Sequence, residues 1–383
     1  MANGSPLDDP EARRLIESSR AQVATATGAE QVLAYVTWSL VKEGYYSPNE
    51  LIALSLREGF TLDDPYAKIR RGTRIEANAV IKNHSVIDAD HVVIGAGTIL
   101  DNAQLSGNNC TIGPNNTISG PLLVANLTLG TGNEVRGLTG RSDGPLTIGD
   151  FNQITAVTIA NPNGRSIVIG NHNELCAGLE IGCPFPHGDI RIGNYNSLGR
   201  AGGGVVSTAY RFTHKWWGDV LVGSHVETTR GAEILGFSMI GWPLAPQEEA
   251  LAQRLFVHGP IADVRAFFAA VRDREVPNER GDVAISFFGV VKAKMCCLAG
   301  RVRAKDGTRI QSSFLKDVFA TERNKVYFTM VSHALPNPLQ VTLQDRAIER
   351  LVINGPIDWS ALPTEEGSNG YRPEDAQFYA NQG

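Results

Sequence analysis

Eight histidines are the side chains of this chain best suited to accept and return a proton near neutral pH. Taking a proton from a hydroxyl or an amine as it attacks a carbonyl is the chemistry such a group would perform. His84, His91 and His172 fall at positions of a short repeated phrase, where a structural or solvated role is the plain reading. His225 lies in a weaker copy of that phrase, and His258 and His333 flank expected strands without a recognisable partner. Two others sit in longer irregular stretches: His187 in Cys183-Pro184-Phe185-Pro186-His187-Gly188-Asp189, and His214 in Tyr210-Arg211-Phe212-Thr213-His214-Lys215-Trp216-Trp217. These two are the candidate bases. Around His214, Trp216 and Trp217 with Lys215, Arg211 and Tyr210 make a platform for a sugar ring or a nucleotide base, combining stacking with a cation. Burial of the same tryptophans against a neighbouring subunit is the alternative. Just upstream, Gly202, Gly203 and Gly204 would let backbone N–H groups approach a phosphate or an oxyanion, or else form a flexible corner.

These residues must be held by something, and a repeat supplies it. An aliphatic residue, Gly, two variable residues and a fifth position that is usually Asn recur as Ile94-Gly95, Ile112-Gly113, Leu129-Gly130, Ile148-Gly149, Ile169-Gly170 and Ile192-Gly193, with a weaker copy at Val222-Gly223. The step from anchor to anchor stays near eighteen as far as Ile148 and then widens, most of all between Ile192 and Val222. Such self-similarity predicts a solenoid whose coils bury their apolar residues against the coils above and below. A step of eighteen makes three hexapeptides, one per side of a triangular coil, so Ile75, Ile81 and Ile87 are expected to fill one coil. The longer steps predict loops thrown out from the corners, where function concentrates. Gly suits a tight corner, and Asn116, Asn133, Asn152, Asn173 and Asn196 are expected to stack as a ladder of amides.

Outside the repeat the pattern changes. Residues 1–70 read as a helical segment, with helix starts at Asp8-Asp9-Pro10-Glu11 and Ser47-Pro48-Asn49-Glu50 and a stop at Gly59. Its apolar stripe of Val32, Leu33, Tyr35, Val36, Trp38, Leu40 and Val41 is too broad for a solvated helix, so self-association is expected. Residues 71–245 carry the solenoid. Residues 246–355 read as an α+β domain: a short helix over 246–254, a strand at Leu255-Phe256-Val257, a helix over 261–274, then a meander of strands. Residues 356–383 read as a polar tail.

With 35 basic and 40 acidic residues the net charge is −5, and no dense Lys/Arg run exists, which argues against nucleic acid and anionic membrane as partners. The absence of a long apolar stretch and of a secretory pattern at the start leads to the expectation of a cytoplasmic protein. Cys110, Cys176, Cys183, Cys296 and Cys297 read as reduced and mostly buried thiols.

The repeated phrase over roughly residues 73–242 resembles the hexapeptide-repeat acyltransferase superfamily. The resemblance implies a mainly β fold, a left-handed parallel β-helix, here flanked by the N-terminal helical segment and the C-terminal α+β domain. The six-residue steps from Ile75 to Ile118 favour the left-handed form over a right-handed one. In the acetyltransferase branch an I-G rung is followed by an extended loop bearing the catalytic histidine, after which the chain re-enters the coil. Here Ile192-Gly193 to Gly199, a loop ending at His214-Lys215-Trp216-Trp217, then Val222-Gly223 with Ile234-Leu235-Gly236 and Ile240-Gly241, look like that order. The resemblance therefore makes His214 the preferred base, ahead of His187. It implies coenzyme A or an acyl carrier protein as donor, a small hydroxyl or amine acceptor such as a sugar, and a homotrimer with shared sites. No coil is read beyond Ile240-Gly241, although relatives hold the donor along such coils. A zinc hydratase on the same scaffold needs an H-x-x-x-x-H pair, which the chain lacks, so no metal is expected. A non-catalytic scaffold or carbohydrate- or protein-binding module is the alternative function.

Overall fold

The computed structural model describes residues 10–162, 164–182, 189–200, 214–217, 220–229, 232–235 and 237–273, and beyond these the strands within 284–354. The chain is mainly β, a left-handed parallel β-helix with helices at its start and in its second half. Two compact units are formed, Met1–Thr139 and Gly140–Gly383.

The first unit opens with helices α1 (Pro10–Thr25), α2 (Ala29–Lys42) and α3 (Pro48–Glu58). The expected cap at Asp8 lies outside the described residues. At α3 the expected start and stop are both present: the Ser47 Oγ accepts from the Glu50 N–H, Glu50 reaches back to the Ser47 N–H at 2.7 Å, and Gly59 ends the helix at φ 76°. Glu50 also takes two bonds from the Arg71 guanidinium, at 2.6 and 2.7 Å, which ties α3 to the first coil. Of the apolar stripe on α2, Leu40 and Val41 are buried, whereas Val32, Leu33 and Tyr35 remain exposed. No described helix is long and apolar enough to cross a membrane.

The coils of this unit stack in three lanes of parallel strands. Ile75, Ile94, Ile112 and Leu129 pair in one lane, Ile81, Leu100, Ile118 and Val135 in the second, and Ile69, Ile87, Leu105 and Leu122 in the third. All twelve are at most 3 % exposed. Ile75, Ile81 and Ile87 thus fill the three sides of one coil, as their six-residue steps require.

The second unit repeats this plan. One lane runs through Ile148, Ile169, Ile192, Val222 and Ile240, and continues through Leu298, Leu315, Val331 and Ile353. The C-terminal region therefore holds both helix and strand, but its strands form further parallel coils. The meander read from the sequence is replaced by this lane order, and coils do exist beyond Ile240. Leu255, Phe256 and Val257 belong to a helix, α4 (Pro246–His258), which is followed by α5 (Ile261–Arg272). Their apolar run reads locally as a strand, yet Phe256 packs with Val264, Phe267, Phe268 and Val271 over Leu221, Met239 and Cys297 of the coils. Tertiary packing of an amphipathic face outweighs β-propensity here.

The glycine of the repeated phrase has a different role from the one its type suggests. Its φ is not positive; a Cβ on Gly193 would lie 2.7 Å from the Gly223 carbonyl oxygen of the next coil, and one on Gly113 would lie 2.6 Å from that of Gly130. Backbone contact between coils leaves no room for a side chain. Asn at the fifth position forms the expected ladder. The Asn133 N–H and amide donate to Asn116 Oδ1 at 2.7 and 3.0 Å. In the second unit Asn173 donates likewise to Asn152, Asn196 N–H to Asn173 Oδ1 at 2.9 Å, and Val226 N–H to Asn196 Oδ1 at 2.7 Å.

Replacing Asn173 by Ala would orphan the buried Asn196 N–H, so a loss of about 2–3 kcal/mol is expected from urea unfolding. For Gly193→Ala the coils must separate locally, and a loss of about 2–3 kcal/mol is expected in the same measurement.

Candidate functional site

At the fourth position of the repeated phrase the corner backbone turns left-handed. Phe151, His172, Tyr195 and His225 adopt φ of 55°, 55°, 57° and 59°. Their rings stack into a ladder up one corner of the second unit, with centroids 5.2, 4.8 and 5.1 Å apart and planes within 14° of parallel. Phe151 is 54 % and Tyr195 42 % exposed, and His172 is exposed as well. A bulky residue in this region costs about 1 kcal/mol or more. Each stacked pair returns about 0.5–1.5 kcal/mol, so the two effects roughly cancel. The same corner position in the first unit is taken by Gly97, Asn115 and Gly132, residue types that adopt positive φ readily. Stacking thus offsets the backbone strain, and the rings of Phe151, His172 and Tyr195 are presented to solvent. Sequence reading treats His172 and His225 singly and passes over Phe151 and Tyr195. Reading down the fourth column of the repeat is the signal that would reveal the stack.

The corner's neighbouring column is a second ladder: Asn171 Oδ1 accepts from the Asp150 N–H and Asn194 Oδ1 from the Asn171 N–H, each at 2.7 Å, and Ser224 Oγ from the Asn194 N–H at 3.1 Å. These bonds fix the backbone that presents the rings.

His214 is not on a loop. It opens the strand His214–Trp217, which pairs in parallel with Leu179–Gly182 on one side and with Ala232–Leu235 on the other. His214 takes the register position of Leu179, and Trp216 that of Ile181 and Ile234. All three of those aliphatic residues are buried in the adjacent coils. The Gly-rich approach suggests a loop, whereas an alternating His-x-Trp segment in register with a coil wall forms strand. His214, Trp216 and Trp217 are thus brought into one strand. His187, Gly202, Gly203, Gly204, Tyr210 and Arg211 lie outside the described residues.

Asp189, two residues after His187, is firmly held. Its Oδ1 accepts from the Ser166 N–H at 3.0 Å, and its other oxygen receives Arg272 of α5. Arg191 donates to the Arg272 carbonyl at 2.7 Å, a cation at the negative end of that helix. The chain leaving the His187 segment is thereby anchored to the α5 terminus.

Burial pushes the Cys110 thiol up to about 11 and Cys296 up to about 12, and raises Cys297 well above its usual value. Thiolate at these positions is scarce at neutral pH, so they pack rather than attack. Among the described residues no three His, Cys, Asp or Glu side chains gather as metal ligands. No family model matches this chain, and no curated protein matches it in sequence.

Tyr195 tests the balance between strain and stacking. Tyr195→Ala keeps the left-handed backbone and loses both stacks, and should lower stability by about 1–3 kcal/mol. Tyr195→Asn relieves the backbone and should cost about 1 kcal/mol or less in parallel urea titrations.

Proposed function

We propose that this protein is an acyltransferase that moves an acyl group from coenzyme A or an acyl carrier protein to a hydroxyl or amine of a small acceptor, sugars included. The observation that carries this reading is the continuation of parallel coils past Ile240, in the same lane as Ile192 and Val222. A long donor arm needs such a wall, and the resemblance of the repeat to the acyltransferase superfamily requires coils there.

In this reading His214 takes the proton from the acceptor as its oxygen or nitrogen attacks the thioester carbonyl. The departing thiolate receives a proton in turn, so the step needs no further reactant. Backbone donors near Gly202, Gly203 and Gly204 hold the oxyanion, and Arg211, Tyr210, Trp216 and Trp217 bind the acceptor. His187 is the second candidate for the base. The exposed Val32, Leu33 and Tyr35 of α2 support association of copies, for which a trimer with shared sites is proposed.

A second reading, a binding module or scaffold, is favoured by the ring ladder from Phe151 to His225, whose Phe151, His172 and Tyr195 are exposed. Thioester cleavage with free-thiol detection, across short and long acyl donors, separates the two. A base assignment predicts that His214→Ala lowers kcat by about 10²- to 10⁴-fold while His187→Ala has a smaller effect. Equal turnover in His214→Ala and wild type would remove His214 from the role. Absence of turnover with every donor, together with no thermal stabilisation by coenzyme A, would leave the binding module.

A further inference from the structure

Two residues after each ring of the corner ladder, the chain places Gln153, Glu174, Ser197 and Glu227 in one row of register partners. The next residue of each strand, Ile154, Leu175, Leu198 or Thr228, is at most 1 % exposed. The period of two along a strand therefore sets the row on the outer face, beside the rings. Gln153 and Glu227 are exposed, and Glu174 and Ser197 are half-buried. The Ser197 hydroxyl donates to Glu174 Oε2 at 2.9 Å. Among the described residues no lysine or arginine pairs with Glu174 or Glu227. Neither the ring column nor this row contains a basic residue other than His172 and His225. An exposed aromatic wall thus runs alongside two carboxylates that lack a cation.

We infer that the angle between the ring ladder and this row binds a linear aliphatic polyamine lying along the solenoid axis. The ring centroids are 5.2, 4.8 and 5.1 Å apart and the planes nearly parallel, so the faces cover one another and the edges form the wall. A sugar or a nucleotide base needs an open ring face, whereas methylene groups pack against ring edges through dispersion. Glu174 and Glu227 stand two coils apart in the row, about 10 Å at the spacing of neighbouring strands. Ammonium groups joined by a chain of similar length reach both carboxylates at once, and Ser197, between them in the row, accepts from a central amine. A compact cation reaches only one. The net charge of −5 favours the approach of a polycation. The inference gives the ladder a ligand and concerns binding alone, so it holds whether or not the chain transfers acyl groups.

Isothermal titration of the full-length protein with spermidine, the shorter putrescine, uncharged octanediol and Mg2+ tests it. Saturable binding of spermidine is expected, weakening as salt rises, with putrescine and Mg2+ severalfold weaker and octanediol not bound. The double variant Glu174→Gln/Glu227→Gln should bind spermidine about tenfold more weakly, with an unchanged circular dichroism spectrum. Should that variant not fold, the single variant Glu227→Gln, at an exposed position, should show a severalfold loss. Tyr195→Asn takes one ring out of the wall and should weaken spermidine severalfold while leaving Mg2+ unaffected. Mg2+ binding as tight as that of spermidine, with no effect of Tyr195→Asn, would overturn the polyamine assignment in favour of a simple cation site. Absence of saturable spermidine binding at millimolar concentration, or unchanged affinity in folded glutamate variants, would overturn the site itself.

Discussion

Within each unit every coil is joined to the next by parallel backbone hydrogen bonds in fixed register, and most other features answer to that constraint. Coils this close leave no space at the second position of the phrase, hence glycine at Gly113 and Gly193. The corner backbone that follows must reverse, hence the left-handed fourth position. The turned corner leaves inward N–H groups without a strand partner, hence Asn at the fifth position, whose amide reaches the coil next to it. One geometric demand thus dictates three residue types in a row.

The same register converts any residue type repeated down a column into a ladder. Asn makes the internal ladder, and the stack from Phe151 through His172 to Tyr195 the exposed aromatic one. Extra residues cannot enter a lane without breaking pairing, so they leave at corners. The two widest steps of the phrase, from Ile169 to Ile192 and from Ile192 to Val222, are the ones whose sequence holds His187 and His214.

How much of this is legible in the sequence depends on how strictly a column is kept. The coils from Ile75 to Val222 declare themselves through the Ile-Gly phrase, and the ladder through its Asn. Past Ile240 the lane goes on through Leu298, Leu315, Val331 and Ile353 at uneven steps, and without glycine behind any of these anchors. The helices also break the count, since both α4 and α5 stand between Ile240 and Leu298. Periodicity survives there only in the pairing. His214 is misplaced for a related reason: a local reading follows the glycines before it, whereas the wall on which the segment lies, Leu179–Gly182, is remote in sequence. The aromatic ladder escapes such a reading because each of its members occupies a variable position of the phrase.

The outer row of the first lane explains why the helices interrupt the coils where they do. In the second unit this row begins with the exposed Thr147 and the half-buried Val168, then passes through Arg191 to Leu221, Met239 and Cys297. The last three are at most 1 % exposed, although they sit on the outside of the coil. An outward apolar row cannot face water over several coils without cost; covering Leu221 and Met239 gains about 1.5–3 kcal/mol each. The chain meets that need by leaving the lane directly after Ile240, folding α4 and α5 over the row, and resuming the coil beneath them. Arg191 marks the border, its stem in the outer row and its guanidinium on the last carbonyl of α5. The insertion that hides the later coils from a sequence reading is thus required by the residues of the coils it covers.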